Sequence, residues 1–140
     1  MNDPLYAKEV LRLAAAATGA GRLDPHDLEG SRYNPICGDR VSVTLRLDEA
    51  GRICALAHET QACVLAQASA AVLGAHLSGS SRAEVVRLRD EITRMLQGGA
   101  IPAAPFSDYS ALTGAASHRN RHGCVLLPVD AVLDALKERA

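Results

Sequence analysis

The apolar positions of this chain change period several times, and each change marks an element. Leu5, Tyr6, Val10, Leu11, Leu13 and Ala14 follow Asp3-Pro4 in the pattern of an amphipathic helix. Pro4 suits a first helical turn, where a missing N–H costs nothing, and Gly19-Ala20-Gly21 offers an exit. Residues 22–35 are rich in Asp, Pro, Gly and Asn and predict a loop. Val41, Val43, Leu45 and Leu47 then alternate with Ser42, Thr44, Arg46 and Asp48, the period of a half-buried strand. Asp48-Glu49-Ala50-Gly51 is a turn, and residues 52–60 predict the returning strand of a hairpin.

Helical periods follow. Residues 64–77 are dense in alanine and carry Leu65, Val72 and Leu73, which predicts a closely packed helix ending at Ser78-Gly79. Ser81 with Glu84 three positions later forms a capping box, and Val85, Leu88, Ile92, Met95 and Leu96 continue at helical spacing. Residues 97–107, with Gly98-Gly99, Pro102 and Pro105, predict a loop, with a short ordered piece near 109–112. A last helix over about 124–137 carries Val125, Leu126, Val129, Val132, Leu133 and Leu136, with Pro128 expected in its first turn. Strands in one block and helices afterwards indicate an α+β fold. The 140 residues are expected to form a single domain, 1–140.

Composition narrows the picture. Apolar residues make up 48% of the chain, yet it has one Phe, three Tyr and no Trp, so the core must be Leu, Val, Ile and Ala. Lys and Arg number 15 against 16 Asp and Glu, a net charge of −1 that argues against nucleic acid and against an anionic membrane as partners. The apolar runs are too short to span a bilayer, and none has the flanks of a secretory signal. A soluble, cytoplasmic protein is expected. In that compartment, four cysteines point to metal binding or reactive thiols rather than disulfides.

Three of those cysteines stand beside chemistry. Cys37 and Asp39 lie in Asn34-Pro35-Ile36-Cys37-Gly38-Asp39-Arg40, Cys63 precedes the alanine-rich helix, and Cys124 lies in Arg121-His122-Gly123-Cys124. Three thiols and a carboxylate make a complete tetrahedral set for zinc. The intervals are too long for a local zinc finger, so only the fold could gather them. Cys63 and Cys124 are expected at helix N-termini, where partial positive charge favours a thiolate. Gly38 lets the loop fold so that Cys37 and Asp39 face one point. A carboxylate is a harder, more exchangeable ligand than a fourth thiolate, which suggests a working site over a closed structural one. Cys54, between Ile53 and Ala55, fits a small buried hydrophobe in a strand. Among the histidines, His26 and His118 fall in loops, His58 in the sheet and His76 on a helix surface. His122 is a spare ligand, although its offset from Cys124 turns it elsewhere.

At these residues the chain resembles the IscU/NifU family of iron–sulfur cluster assembly proteins, and within it the SufU-like branch. The matching stretches are Asn34-Pro35-x-Cys37-Gly38-Asp39-Arg40, Cys63 with Ala68-Ser69-Ala70, Arg121-x-x-Cys124 with Leu127-Pro128, and Met95-Leu96-Gln97-Gly98. IscU-like scaffolds have a His before the third Cys, where this chain has Gly123, and the long interval from Cys63 to Cys124 is similar to SufU. Two stretches depart from the pattern: Glu59-Thr60-Gln61-Ala62 before Cys63, and the basic run Ser117-His118-Arg119-Asn120-Arg121-His122. The resemblance implies about three antiparallel strands flanked by helices, with zinc on Cys37, Asp39, Cys63 and Cys124. It implies the activity of a zinc-dependent sulfurtransferase that takes persulfide sulfur from a pyridoxal-phosphate cysteine desulfurase, SufS-like. In that reading a desulfurase His replaces Cys37 on the metal, Cys37 accepts the sulfur, and Arg121 pairs with Asp39 or stabilises a thiolate. Two alternatives use the same residues: a scaffold holding an iron–sulfur cluster on them, and a binding module with purely structural zinc.

Overall fold

The computed structural model describes residues 7–36 and 38–137. The elements in chain order are α1 (Lys8–Ala16), β1 (Leu28–Asn34), β2 (Asp39–Leu47), β3 (Ile53–Gln61), α2 (Val64–His76), α3 (Arg82–Leu96), two 3-10 segments (Phe106–Ser117 and Arg119–Arg121) and α4 (His122–Lys137). The strands form one antiparallel sheet in the order β1-β2-β3. This is the expected α+β arrangement, three strands flanked by helices.

The hairpin follows its sequence pattern. Val41, Val43 and Leu45 are buried on the side facing α2 and α4, while Arg40 is exposed on the other side. The turn is held by Asp48, whose side chain accepts from the Ala50 and Arg52 amides at 3.0 and 2.9 Å. Gly51 takes the positive φ of 83° that closes it.

Residues 22–35 were expected to be a loop, and this is corrected: Leu28–Asn34 is a strand, paired with β2 from Leu28↔Leu45 to Asn34↔Asp39. It has no apolar alternation to read, because the positions it turns toward α4 are filled by other means. At Gly30 a Cβ would lie 2.5 Å from the Ala135 amide, so only glycine lets α4 rest directly on the strand. Arg32 grips Asp134 of α4 through Nε and Nη2 at 2.7 and 2.8 Å, a bidentate pair. The segment before β1 is tied across the sheet by Leu23 N–H to Thr44 Oγ1 at 3.0 Å and Leu47 N–H to Asp27 Oδ2 at 2.7 Å.

Helix α2 is the centre of the molecule, with Leu65, Ala66, Ala68, Ser69, Ala70, Ala71, Val72 and Leu73 all buried. Its small side chains allow neighbours to approach on several sides. At Gly74 a Cβ would stand 2.1 Å from the Thr18 carbonyl oxygen, which fixes how near the segment after α1 can lie. The capping box of α3 is present: Glu84 N–H donates to Ser81 Oγ at 3.2 Å, and Ser81 N–H to Glu84 Oε1 at 2.9 Å. Val85, Leu88, Ile92, Met95 and Leu96 are its buried face.

Several boundaries differ from expectation. Helix α1 ends at Ala16, with Ala17 in the left-handed region, so the chain exits before Gly19; Pro4 lies outside the described residues. The short ordered piece near 109–112 is a longer 3-10 segment, pinned by buried Phe106, Tyr109, Leu112 and Ala115. Helix α4 begins at His122, so Pro128 lies inside it, past the first turn. Cys54 is exposed, because the alternation of β3 turns Ile53 inward and its neighbour out. No helix among the described residues is long and apolar enough to cross a membrane.

His58 ties the segment after α1 to β3. Its amide donates to the Gly19 carbonyl at 2.9 Å, its carbonyl accepts from Gly21 N–H at 2.8 Å, and its Nε2–H donates to the Thr18 carbonyl at 2.9 Å. Nδ1 then accepts from the Thr60 hydroxyl at 2.9 Å. Burial holds this imidazole below its ordinary pKa of 6.5, partly opposed by the Thr18 bond.

Two measurements check this packing. Gly74→Ala in an open helix would stabilise by up to about 1 kcal/mol; here it is expected to destabilise by about 1–3 kcal/mol, since backbone must move. A urea midpoint decides the sign. For His58, the unfolded chain binds the proton first as pH falls. The stability contributed by neutral His58 is therefore complete above pH 6.5 and is lost as pH falls through the lower folded-state value. His58→Gln, which does not titrate, is expected to flatten that part of the stability–pH curve.

Candidate metal centre

Three elements end at one place. Strand β2 begins at Asp39, α2 is preceded by Cys63 as its N-terminal flanking residue, and α4 carries Cys124 in its first turn. The ligand atoms of Asp39, Cys63 and Cys124 all lie within 4.8 Å of one another. Cys37 lies outside the described residues. In sequence it stands two residues before Asp39, and the turn between β1 and β2 is closed by Gly38 N–H to the Asn34 carbonyl at 2.8 Å. Gly38 has a positive φ of 76°, the conformation that glycine adopts without strain. Ile36, on the other side of Cys37, is 90% exposed.

Asp39 explains why this place suits a cation. It is 6% exposed; Oδ1 accepts from the Cys63 amide at 3.2 Å, at the positive end of α2. Its other oxygen, Oδ2, is buried without a hydrogen-bond partner among the described residues. Such an orphan costs about 1–3 kcal/mol or more when charged, and a metal ion beside it would remove that cost.

The thiol next to it points the same way. Burial pushes the Cys63 thiol above its ordinary value, opposed by the Ala66 amide, and the Asp39 carboxylate raises it further. At Cys63, desolvation and the neighbouring carboxylate oppose the thiolate that the helix N-terminus was expected to favour. A bound divalent cation inverts that balance. Two soft sulfurs and one hard oxygen suit zinc or iron.

A buried hydroxyl network ties α2 to α4 beside the cluster, and the sequence had marked Ser69 only as part of Ala68-Ser69-Ala70. Ser69, on α2, donates from Oγ to the Val125 carbonyl at 2.7 Å, one residue beyond Cys124. Its single proton is thereby used, so the 2.8 Å contact with Tyr109 has the tyrosine hydroxyl donating. Tyr109 is fully buried, and burial pushes its phenol far above the ordinary range. The signal available was a lone serine inside an alanine run and a tyrosine in a stretch of Pro and Gly. His122, His76 and Cys54 make their contacts elsewhere. His122 Nε2 bonds the Ala116 carbonyl at 3.1 Å, His76 pairs with Asp108 at 2.9 Å, and Cys54 is exposed on β3. Arg121 is half-buried in the 3-10 turn that leads into α4.

Ser69→Ala is expected to lower stability by about 1–3 kcal/mol, because it strands two buried partners, and Tyr109→Phe by about 1 kcal/mol. Since Ser69 fixes α4 against α2, a colorimetric chelator should also strip zinc from Ser69→Ala at lower concentration than from wild type. Equal chelator curves would show that the network is not what holds the ligands in register.

The comparisons with known proteins agree with this geometry. The sequence profile described as the NifU-like N-terminal domain matches residues 5–122. An iron–sulfur cluster assembly scaffold protein IscU from Streptococcus pyogenes serotype M1 is 32% identical over 108 residues, covering 76% of this chain and 67% of that one. Its namesake from Thermotoga maritima is 23% identical over 134 residues, covering 96% and 94%. The crystal structure of the N-terminal part of a nitrogen-fixing NifU-like protein from Brucella abortus superimposes with a TM-score of 0.91 at 32% identity, covering 99% and 98%. FiSufU from Fervidobacterium islandicum AW-1 shares the fold, with a TM-score of 0.84 at 19% identity over 97% and 99% of the two chains. The same three strands, the same helices and a profile match from residue 5 to residue 122 have one meaning: this chain belongs to the NifU-like N-terminal domain family, the family of IscU.

Proposed function

We propose that this chain is an iron–sulfur cluster assembly protein of the SufU-like kind, which takes sulfur from the persulfide of a SufS-like, pyridoxal-phosphate cysteine desulfurase. Zinc is its resident metal, held by Cys37, Asp39, Cys63 and Cys124. The observation that carries the reading is the convergence of Asp39, Cys63 and Cys124 around a buried carboxylate oxygen with no hydrogen-bond partner among the described residues. The curated names of two relatives, both iron–sulfur cluster assembly scaffold proteins, support the pathway. Gly123 before Cys124, and the stretch of α3 and 3-10 segments between Cys63 and Cys124, favour the SufU-like branch.

Bound zinc supplies a centre that keeps coordinated thiols deprotonated near neutral pH. The chain's own residues divide the remaining work. Cys124 is buried and Cys63 half-buried at the starts of helices, so both stay as anchors. Cys37, next in sequence to exposed Ile36, is the acceptor. Its thiolate attacks the terminal sulfur of the donor persulfide; the donor S–S bond breaks, and the donor cysteine leaves as a thiolate. Cys37 then carries the persulfide, with no net oxidation or reduction. Asp39 holds the base of the turn, and Arg121, three residues before Cys124, offsets negative charge at the site. The cytoplasm, where thiols stay reduced, is the compartment this chemistry needs.

A second reading, a scaffold building a cluster on the same ligands, draws on the scaffold names of the relatives. A third, a binding module with inert structural zinc, uses the site with no turnover. Metal analysis of the purified chain, coupled to desulfurase turnover, separates them. About one zinc per chain, with turnover raised by wild type and not by Cys37→Ala, is the expected result. Iron and sulfide in place of zinc without stimulation would make the protein a scaffold, and zinc without stimulation a structural module.

A further inference from the structure

Exposed arginines gather at the end that carries Asp39, Cys63 and Cys124, although the chain has a net charge of −1. That end is formed by the close of β1, the start of β2, the close of β3, and the N-termini of α2 and α4. The last turn of α3 joins it, since Leu96, Gln97 and Gly98 face Ser117, Arg119 and His122 across a cavity of about 680 Å³. Exposed arginines surround this end. Arg40 lies on the outer face of the sheet, Arg119 on the helix side, and Arg94 in the last turn of α3. None of the three is within ion-pair distance of a carboxylate among the described residues. Asp39, the carboxylate within the site, is buried. Two helix N-termini add partial positive charge.

The far end holds four exposed carboxylates, with Arg46 and Arg52 near them. The β2–β3 turn carries Asp48 and Glu49, and the strap before β1 brings Asp24 and Asp27 beside it, all exposed. The β1–β2 turn thus forms a tip with exposed arginines around it. At that tip stand two apolar groups open to solvent, Ile36 at 90% and Tyr33 at 51% exposure. The Arg40 guanidinium lies 5.4 Å from the Tyr33 ring centroid, so charge and apolar surface form one patch.

We infer that this patch is a docking face for an acidic rim surrounding an apolar recess at the donor cysteine of the desulfurase. Arg40 and Arg119 orient the encounter from opposite sides of the acceptor loop, and Ile36 seats in the recess. The inference rests on the sulfur-acceptor reading and names the surface chemistry of its partner. Charges placed around a contact rather than inside it act on association and its salt dependence more than on chemistry after docking.

The experiment pairs direct binding with turnover, using a desulfurase holoenzyme from the same source. Arg40→Glu/Arg119→Glu is expected to raise the binding constant Kd by roughly tenfold or more. It should also flatten the salt dependence seen with wild type. Bound zinc and maximal turnover at saturating chain should stay as in wild type, and Glu49→Lys at the far turn should change nothing. Ile36→Ser, which adds no charge, should weaken binding without altering the salt slope. A Kd insensitive to salt and to both arginine reversals, in variants that still hold zinc, overturns the inference. Salt-sensitive binding with no change in turnover leaves the docking face standing and removes the sulfur-acceptor reading.

Discussion

The closeness with which α2 can be approached governs the rest of the molecule. A helix built from alanine, serine and glycine has little side chain of its own to keep neighbours away. The segment after α1 meets it at Gly74, and α4 meets it through the Ser69–Val125 hydrogen bond. The same device recurs where α4 rests on β1 at Gly30. Larger residues at these points would push the layers apart, and the ends of β2, α2 and α4 would no longer share one point. Two thiols and a carboxylate within 4.8 Å are thus an outcome of small residues placed two or more turns away.

This placement creates a tension that the fold leaves unresolved by itself. A carboxylate with a bare oxygen and a thiol made less acidic by burial are poor neighbours unless a cation sits between them. The fold tolerates them because the Cys63 amide and the start of α2 satisfy part of the carboxylate. What is left over defines the charge, hardness and size of the ion that fits better than any single residue does. Arrangements of this sort store their cost at working sites and offset it elsewhere.

Much of this was legible in the sequence, for physical reasons that also explain the failures. The β2–β3 hairpin, α2, α3 and the capping box at Ser81 and Glu84 each repeat one period with one kind of end signal. The grouping of Asp39, Cys63 and Cys124 was legible because thiols and a carboxylate together have few other uses in one small domain. Strand β1 was not legible, since after Leu28 its inward positions are a glycine, an arginine and an asparagine, and the arginine's partner lies on a helix a hundred residues later. Ser69 and Tyr109 were missed for the same reason: a hydroxyl's value depends on what stands opposite, and no local pattern records that. Cys54 shows the reverse error, an apolar-looking neighbourhood whose strand alternation turns the side chain outward.

The distances along the chain between the converging residues have their own consequence. Asp39 and Cys63 belong to a hairpin and the helix that follows it, so they can meet early. Cys124 sits on α4, which leaves the ribosome after every other described element. No partial chain can complete the cluster, and none can hold an ion as the finished one would. Closing the cluster is therefore a late packing event: the three ligand atoms meet only once α4 lies against α2.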